Sequence, residues 1–125
     1  MIPILLVGLG GFLGAILRYL ISTGLQKWTS STFPYGTLTV NLLGCFLIGI
    51  LMFLAQEKQT LSPSYRLLLV TGFLGGFTTF SAFGYESMRL FWEGQVGLAW
   101  LNISLQVFGG LVAVEAGRQT VRLFS

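Results

Sequence analysis

Apolar residues run almost without interruption along this chain, and short polar clusters cut them into four blocks. The blocks cover residues 2–25, 36–55, 65–92 and 96–121. The first is closed by Lys27-Trp-Thr-Ser-Ser-Thr-Phe-Pro34 and the second by Gln56-Glu-Lys-Gln-Thr-Leu-Ser-Pro63. Crossing ~30 Å of hydrocarbon takes roughly 20 apolar residues in a helix, so each block predicts one membrane span. The expected fold is therefore an all-α integral membrane protein, a single domain over residues 1–125. Loops this short make consecutive helices antiparallel and place both termini on one side. Trp28, Tyr35, Tyr65, Trp92 and Trp100 lie near the predicted ends, where amphipathic aromatic rings settle at a membrane interface.

Composition narrows the chemistry. Of 125 residues 54% are hydrophobic and 9% charged, and the mean hydropathy is +0.80. Globular chains carry about 25% charged residues, so most of this one is solvated by hydrocarbon. There is no histidine or aspartate, and Cys45 is the single cysteine. Disulfide frameworks, His/Cys metal sites and histidine-based acid–base catalysis are thereby excluded, and Cys45 reads as a small packing residue. No nucleophile–base pair is visible, so an enzyme is not expected. The start, Met1-Ile-Pro-Ile-Leu-Leu, carries no basic region and argues against a cleaved signal peptide. The net charge of +3 comes from residues at span ends, with no cluster suited to nucleic acid. Lys58, Arg66, Arg118 and Arg122 fall on the side of the termini, and Lys27, Arg89 and Arg18 on the other. This near balance fits a chain that inserts both ways up, giving an inverted pair, and equally one weakly biased orientation.

Polar side chains at bilayer depth mark functional or packing sites. Arg18, near the end of the first span, either snorkels to the interface or faces a vestibule. Thr37, Thr39 and Asn41 open the second span. The Asn41 amide offers donors to a dehydrated anion, or to a neighbouring helix. In the fourth span Asn102, Gln106 and Gly110 share one face at four-residue spacing, and Glu115 and Arg118 form an ion pair. The third span holds GFLGGFTTFSAF, residues 72–83. Gly75 and Gly76 lower helix stability by about 1 kcal/mol each, and Thr78 and Thr79 compete for backbone bonds. A break near residues 75–79 follows, with freed carbonyls from Gly75 to Thr78 for a cation. Phe80 and Phe83 project from one face just after it, presenting electropositive ring edges to an anion beside the hydroxyls of Thr79 and Ser81.

Three motifs, GGFLGAILRY at residues 10–19, GTLTVN at 36–41 with Gly44 and Gly49, and GFLGGFTTFSAF, together resemble the Fluc fluoride channels, also called CrcB proteins. The resemblance implies a dual-topology, antiparallel homodimer with two fluoride pores and a structural sodium ion at its centre. By that likeness the carbonyls of Gly75 and Thr78 hold sodium. Phe80, Phe83 and Asn41 line the pore with Thr39, Thr79, Ser81 and Gln106 nearby, and Arg18 and Glu86 sit at a vestibule. The setting it implies is a bacterial inner membrane, with passive export of toxic fluoride. The fourth span departs from the family's hydroxyl track by carrying Asn102, Gln106 and Gly110, which leaves room for a heterodimer of two related chains. A small proton-coupled multidrug transporter, the competing architecture, needs a carboxylate in the first span. None is present.

Overall fold

The computed structural model describes every residue, Met1–Ser125, and is all-helical. Its elements are α1 (Ile2–Thr29), α2 (Tyr35–Gln56), α3 (Pro63–Arg66), a π-helical segment (Leu67–Leu74), α4 (Gly75–Phe77), α5 (Phe80–Trp92) and α6 (Val96–Leu123). Elements α3 to α5 follow one another along a single span, Pro63–Trp92, so four helical spans are long and apolar enough to cross a membrane.

The helices overrun the apolar blocks. α1 continues to Thr29, four residues past the expected end at residue 25. Lys27 in its last turn complements the helix dipole, and Ser30, left-handed at φ 49°, closes it by donating its N–H to Gln26 O. Polar residues that have left hydrocarbon simply remain helical. The third span begins two residues early because Ser62 accepts from Tyr65 N–H at 3.3 Å and Pro63 fits the first helical turn. One side chain organises the turn from α1 into α2. Gln26 Nε2 donates to the carbonyls of Ser31 and Phe33, at 2.7 and 2.9 Å, while its Oε1 accepts from Gly36 N–H at 3.1 Å.

Glycine holds the spans together. α1 lies against the π segment and α4, and α2 lies against α6. A methyl group at Gly10 would collide with Leu68 O, at Gly14 with Phe73 O, and at Gly76 it would stand 2.6 Å from Gly11 O. Across the other seam, methyls at Gly49 and Gly117 would strike the backbone of Val114 and Phe46. Such backbone-to-backbone approach is how helices associate where lipid tails are as apolar as leucine. Val40, Leu74 and Phe77 form a small buried core, with Ile21, Leu47, Ile48, Leu51 and Phe73 packed on it. Phe12, Leu13, Phe108, Leu111 and Val112 stay exposed on the outside, where a hydrocarbon solvent would meet them.

Within the third span, Gly75 and Gly76 are helical, contrary to the expectation that they would open the backbone. Extended dihedrals occur instead at Thr78 (φ −96°, ψ 160°) and Thr79 (φ −149°, ψ 120°). The threonine hydroxyls explain the position. Thr78 Oγ1 donates back to Leu74 O at 2.9 Å, and Thr79 Oγ1 accepts from Ala82 N–H at 3.2 Å as the N-cap of α5. Gly76 serves contact with α1, a steric demand that its low helix propensity alone did not reveal.

Candidate functional site

Four separate elements converge on the interruption at Thr78 and Thr79. In a continuous helix the Thr79 N–H would bond Gly75 O, and Phe80 N–H would bond Gly76 O. Here Thr79 N–H donates to Asn41 Oδ1 at 2.9 Å, and Asn41 Nδ2 donates to Thr79 O at 3.0 Å. Gly76 O accepts instead from Arg18 Nε at 2.9 Å. Side chains from α1 and α2 thus replace lost main-chain partners, as buried polar groups require. The carbonyls of Gly75, Phe77 and Thr78 accept no hydrogen bond.

Two of these three carbonyl-bearing residues, Gly75 and Thr78, line a concavity of about 380 Å³. Asn41, Gly44, Cys45, Thr79, Phe80, Phe83 and Gln106 line it too. Gly44 keeps this wall close, since a methyl there would run into Thr78 Cγ2. The Phe80 and Phe83 rings lie 5.6 Å apart at 50°, and Phe80 is 83% exposed. So Asn41, Gly75, Thr78, Thr79, Phe80, Phe83 and Gln106 come together. Ser81 stands beside them, its Oγ 3.4 Å from Thr79 Oγ1. Thr39 does not reach the concavity, because two residues along a helix rotate it to the far side from Asn41.

A second hollow, of about 390 Å³, is lined by the polar residues Ser22, Thr23, Gln26, Lys27, Thr37 and Glu86. The Glu86 carboxylate accepts from Thr37 Oγ1 there. Arg18, paired with Glu86 in the sequence reading, is absent from this lining and points at Gly76 O instead. Thr37 and Cys45 were not singled out as site residues, although both lie four residues from Asn41, a spacing that places them on its stripe of α2. Outside both hollows, Arg118 bonds Glu57 and Glu115, at 3.4 and 3.1 Å. Such half-exposed pairs contribute little.

Chemically, the residues that line the concavity carry hydroxyls, amides, aromatic rings and unpaired carbonyls, and none is charged. A family model described as CrcB-like protein, Camphor Resistance (CrcB), matches residues 5–118. A protein named fluoride-specific ion channel FluC from Chlorobium phaeobacteroides (strain BS1) is 44% identical over 98% of this chain and 94% of its own. Its namesake from Rhizobium johnstonii is 43% identical over 98% of both chains. That from Chlorobium chlorochromatii (strain CaD3) is 48% identical over 91% of this chain and 88% of its own. With its spans and nearly its whole length matched, this multi-pass membrane chain belongs to the CrcB family.

Proposed function

We propose that this chain is a fluoride-selective channel, not an enzyme, that releases fluoride passively across a bacterial inner membrane. The reading is carried by one observation: Asn41, Thr79, Phe80 and Phe83 share a single concavity in a chain whose relatives are named for fluoride conduction. A small, strongly hydrated anion enters a narrow path only where donors replace its water. The hydroxyls of Thr79 and Ser81 and the edges of the two rings supply donors without a full charge that would trap the ion. Gln106 and Asn41 border the same space. Glu86 with Thr37 and Lys27 forms the polar mouth nearest to it in the chain.

An antiparallel homodimer with two pores completes the proposal. The concavity opens outward from a single protomer, with Phe80 exposed at its rim. Unpaired carbonyls facing lipid would each cost several kcal/mol. A second copy removes that cost by covering the opening. Nothing outside its own helix crowds Gly75 within the protomer, which suits close approach by a partner. The carbonyls of Gly75 and Thr78 fit a sodium ion, a hard cation served by neutral oxygens. Bound there, it would supply positive charge that offsets the anion's electrostatic cost, and it would hold the two copies together.

Fluoride efflux from liposomes containing only the purified chain, with chloride as the control ion, tests the reading. Fluoride-selective efflux is expected. Absence of flux from the single chain refutes the homodimer, and restoration by a related second chain would assign a heterodimer.

A further inference from the structure

The fourth-span amides Asn102 and Gln106 stand where the family pattern led us to expect pore-lining hydroxyls, and the structure gives them other work. Asn102 Nδ2 donates to Ser87 Oγ at 2.9 Å, Gln106 Nε2 donates to Asn102 Oδ1 at 3.2 Å, and Asn41 Nδ2 donates to Gln106 Oε1 at 2.7 Å. The line ends where Thr79 N–H donates to Asn41 Oδ1. It therefore runs from α5 through α6 and α2 to the interruption in the third span.

Its direction is dictated from one end. A backbone N–H can only donate, so the atom of Asn41 that meets Thr79 N–H must be the oxygen. Asn41 Nδ2 then faces Gln106, whose facing atom must also be oxygen, since nitrogen there would set donor against donor. Gln106 Nε2 is left facing Asn102, which must answer with Oδ1 and turn its Nδ2 to Ser87. The serine hydroxyl donates or accepts equally well and imposes nothing. Asn102 is 0% exposed and lines neither of the two hollows. A buried amide at this depth is tolerable only when partnered.

We infer that Asn102 and Gln106 are positioning residues: their amides form a polarised line that pins Asn41 across the interruption at Thr78 and Thr79. Asn102 acts through Gln106 and never meets the ion. The flux arm of the test rests on the fluoride reading, and the exchange arm does not.

The experiment compares Asn102→Leu with Asn102→Asp in the full chain. Aspartate keeps the acceptor for Gln106 and, when protonated, the donor to Ser87, whereas leucine keeps neither. Fluoride efflux from liposomes and hydrogen exchange at the Thr79 amide are both read. Removing the hydrogen-bond partner of a metal-ligating side chain costs about 10- to 100-fold, and Asn102 stands in the same relation to Asn41 through Gln106. A loss of that order is expected for Asn102→Leu, with faster exchange at Thr79 and unchanged assembly size, while Asn102→Asp stays near wild type in both. Wild-type flux and exchange in Asn102→Leu overturn the inference, as does an aspartate variant impaired as deeply as the leucine one. Should Asn102→Leu fail to assemble, Gln106→Met is read by exchange at the Thr79 amide alone, since Gln106 borders the concavity; wild-type exchange there overturns the inference. If the wild-type chain moves no fluoride, the fluoride reading fails alone, and exchange at Thr79 still decides the line.

Discussion

Arg18→Leu removes the donor that occupies Gly76 O. The bond is 2.9 Å long and reaches 58 positions along the chain, from α1 to the last turn before the interruption. Hydrogen bonds to charged groups contribute about 1.5–3 kcal/mol, and in the variant the freed carbonyl would remain unpaired between packed helices. A loss near the middle of that range corresponds to about 40-fold in the population holding the native geometry at Thr78 and Thr79. The substitution keeps the apolar stem, so packing along α1 changes little. Fluoride efflux should fall by that factor in liposomes, and thermal unfolding of the detergent-solubilised protein should occur at lower temperature. Arg18→Lys is the discriminating control, because an ammonium carries the charge without the guanidinium's fixed fork. It should recover only part of the flux. Wild-type flux and stability in Arg18→Leu would refute the role given to this bond, and complete recovery by lysine would assign the effect to charge alone.

Three further expectations follow from the same geometry. Phe80→Ile should cut fluoride flux strongly while size-exclusion chromatography shows assembly unchanged, since the ring is exposed at the rim rather than buried; wild-type flux would remove it from the path. Replacing sodium with a larger organic cation on both sides should lower flux, and insensitivity would deny a cation role to the carbonyls of Gly75 and Thr78. Gly117→Ala forces a methyl group into Phe46 O and should destabilise the α2–α6 seam by about 1–3 kcal/mol. Gly24→Ala, with open space around it, should instead stabilise α1 by up to about 1 kcal/mol. Melting curves of the two variants shifting the same way would contradict the packing account.

The spans were legible because hydrocarbon imposes one requirement on every residue of a crossing segment, and a run of apolar residues satisfies it visibly. Their ends were not, since Lys27, Thr29 and Arg122 continue helices into the interface, where no such requirement holds. Spacing also placed Phe80 and Phe83 on one face, and the family likeness joined Asn41 to them; their meeting with Gln106 appears only in the packed chain. Spacing misjudged Thr39, which was grouped with Asn41 by closeness in sequence although the helix turns it away. Thr37, four residues from Asn41, carries the bond to Glu86 instead. Arg18 was beyond reach of any periodic argument. Its choice of Gly76 O over an aqueous mouth depends on glycine-to-glycine contact between α1 and α4, which only the packed chain reveals.

The motif GFLGGFTTFSAF divides differently from its first appearance. Propensity assigned the interruption to the glycines, yet Gly76 is helical and serves to admit α1. The threonines open the backbone by giving their hydroxyls to it. Two of the polar groups released by the opening find substitutes from other helices, Thr79 N–H in Asn41 and Gly76 O in Arg18. If the interruption were merely a tolerated defect, there would be no reason for Gly75 and Thr78, whose carbonyls are unpaired, to line the concavity that also holds Phe80 and Phe83. Gly76 O and Thr79 O are paired by side chains of other helices, whereas Gly75 O, Phe77 O and Thr78 O are not. That placement is what the proposed ion site and second copy would use.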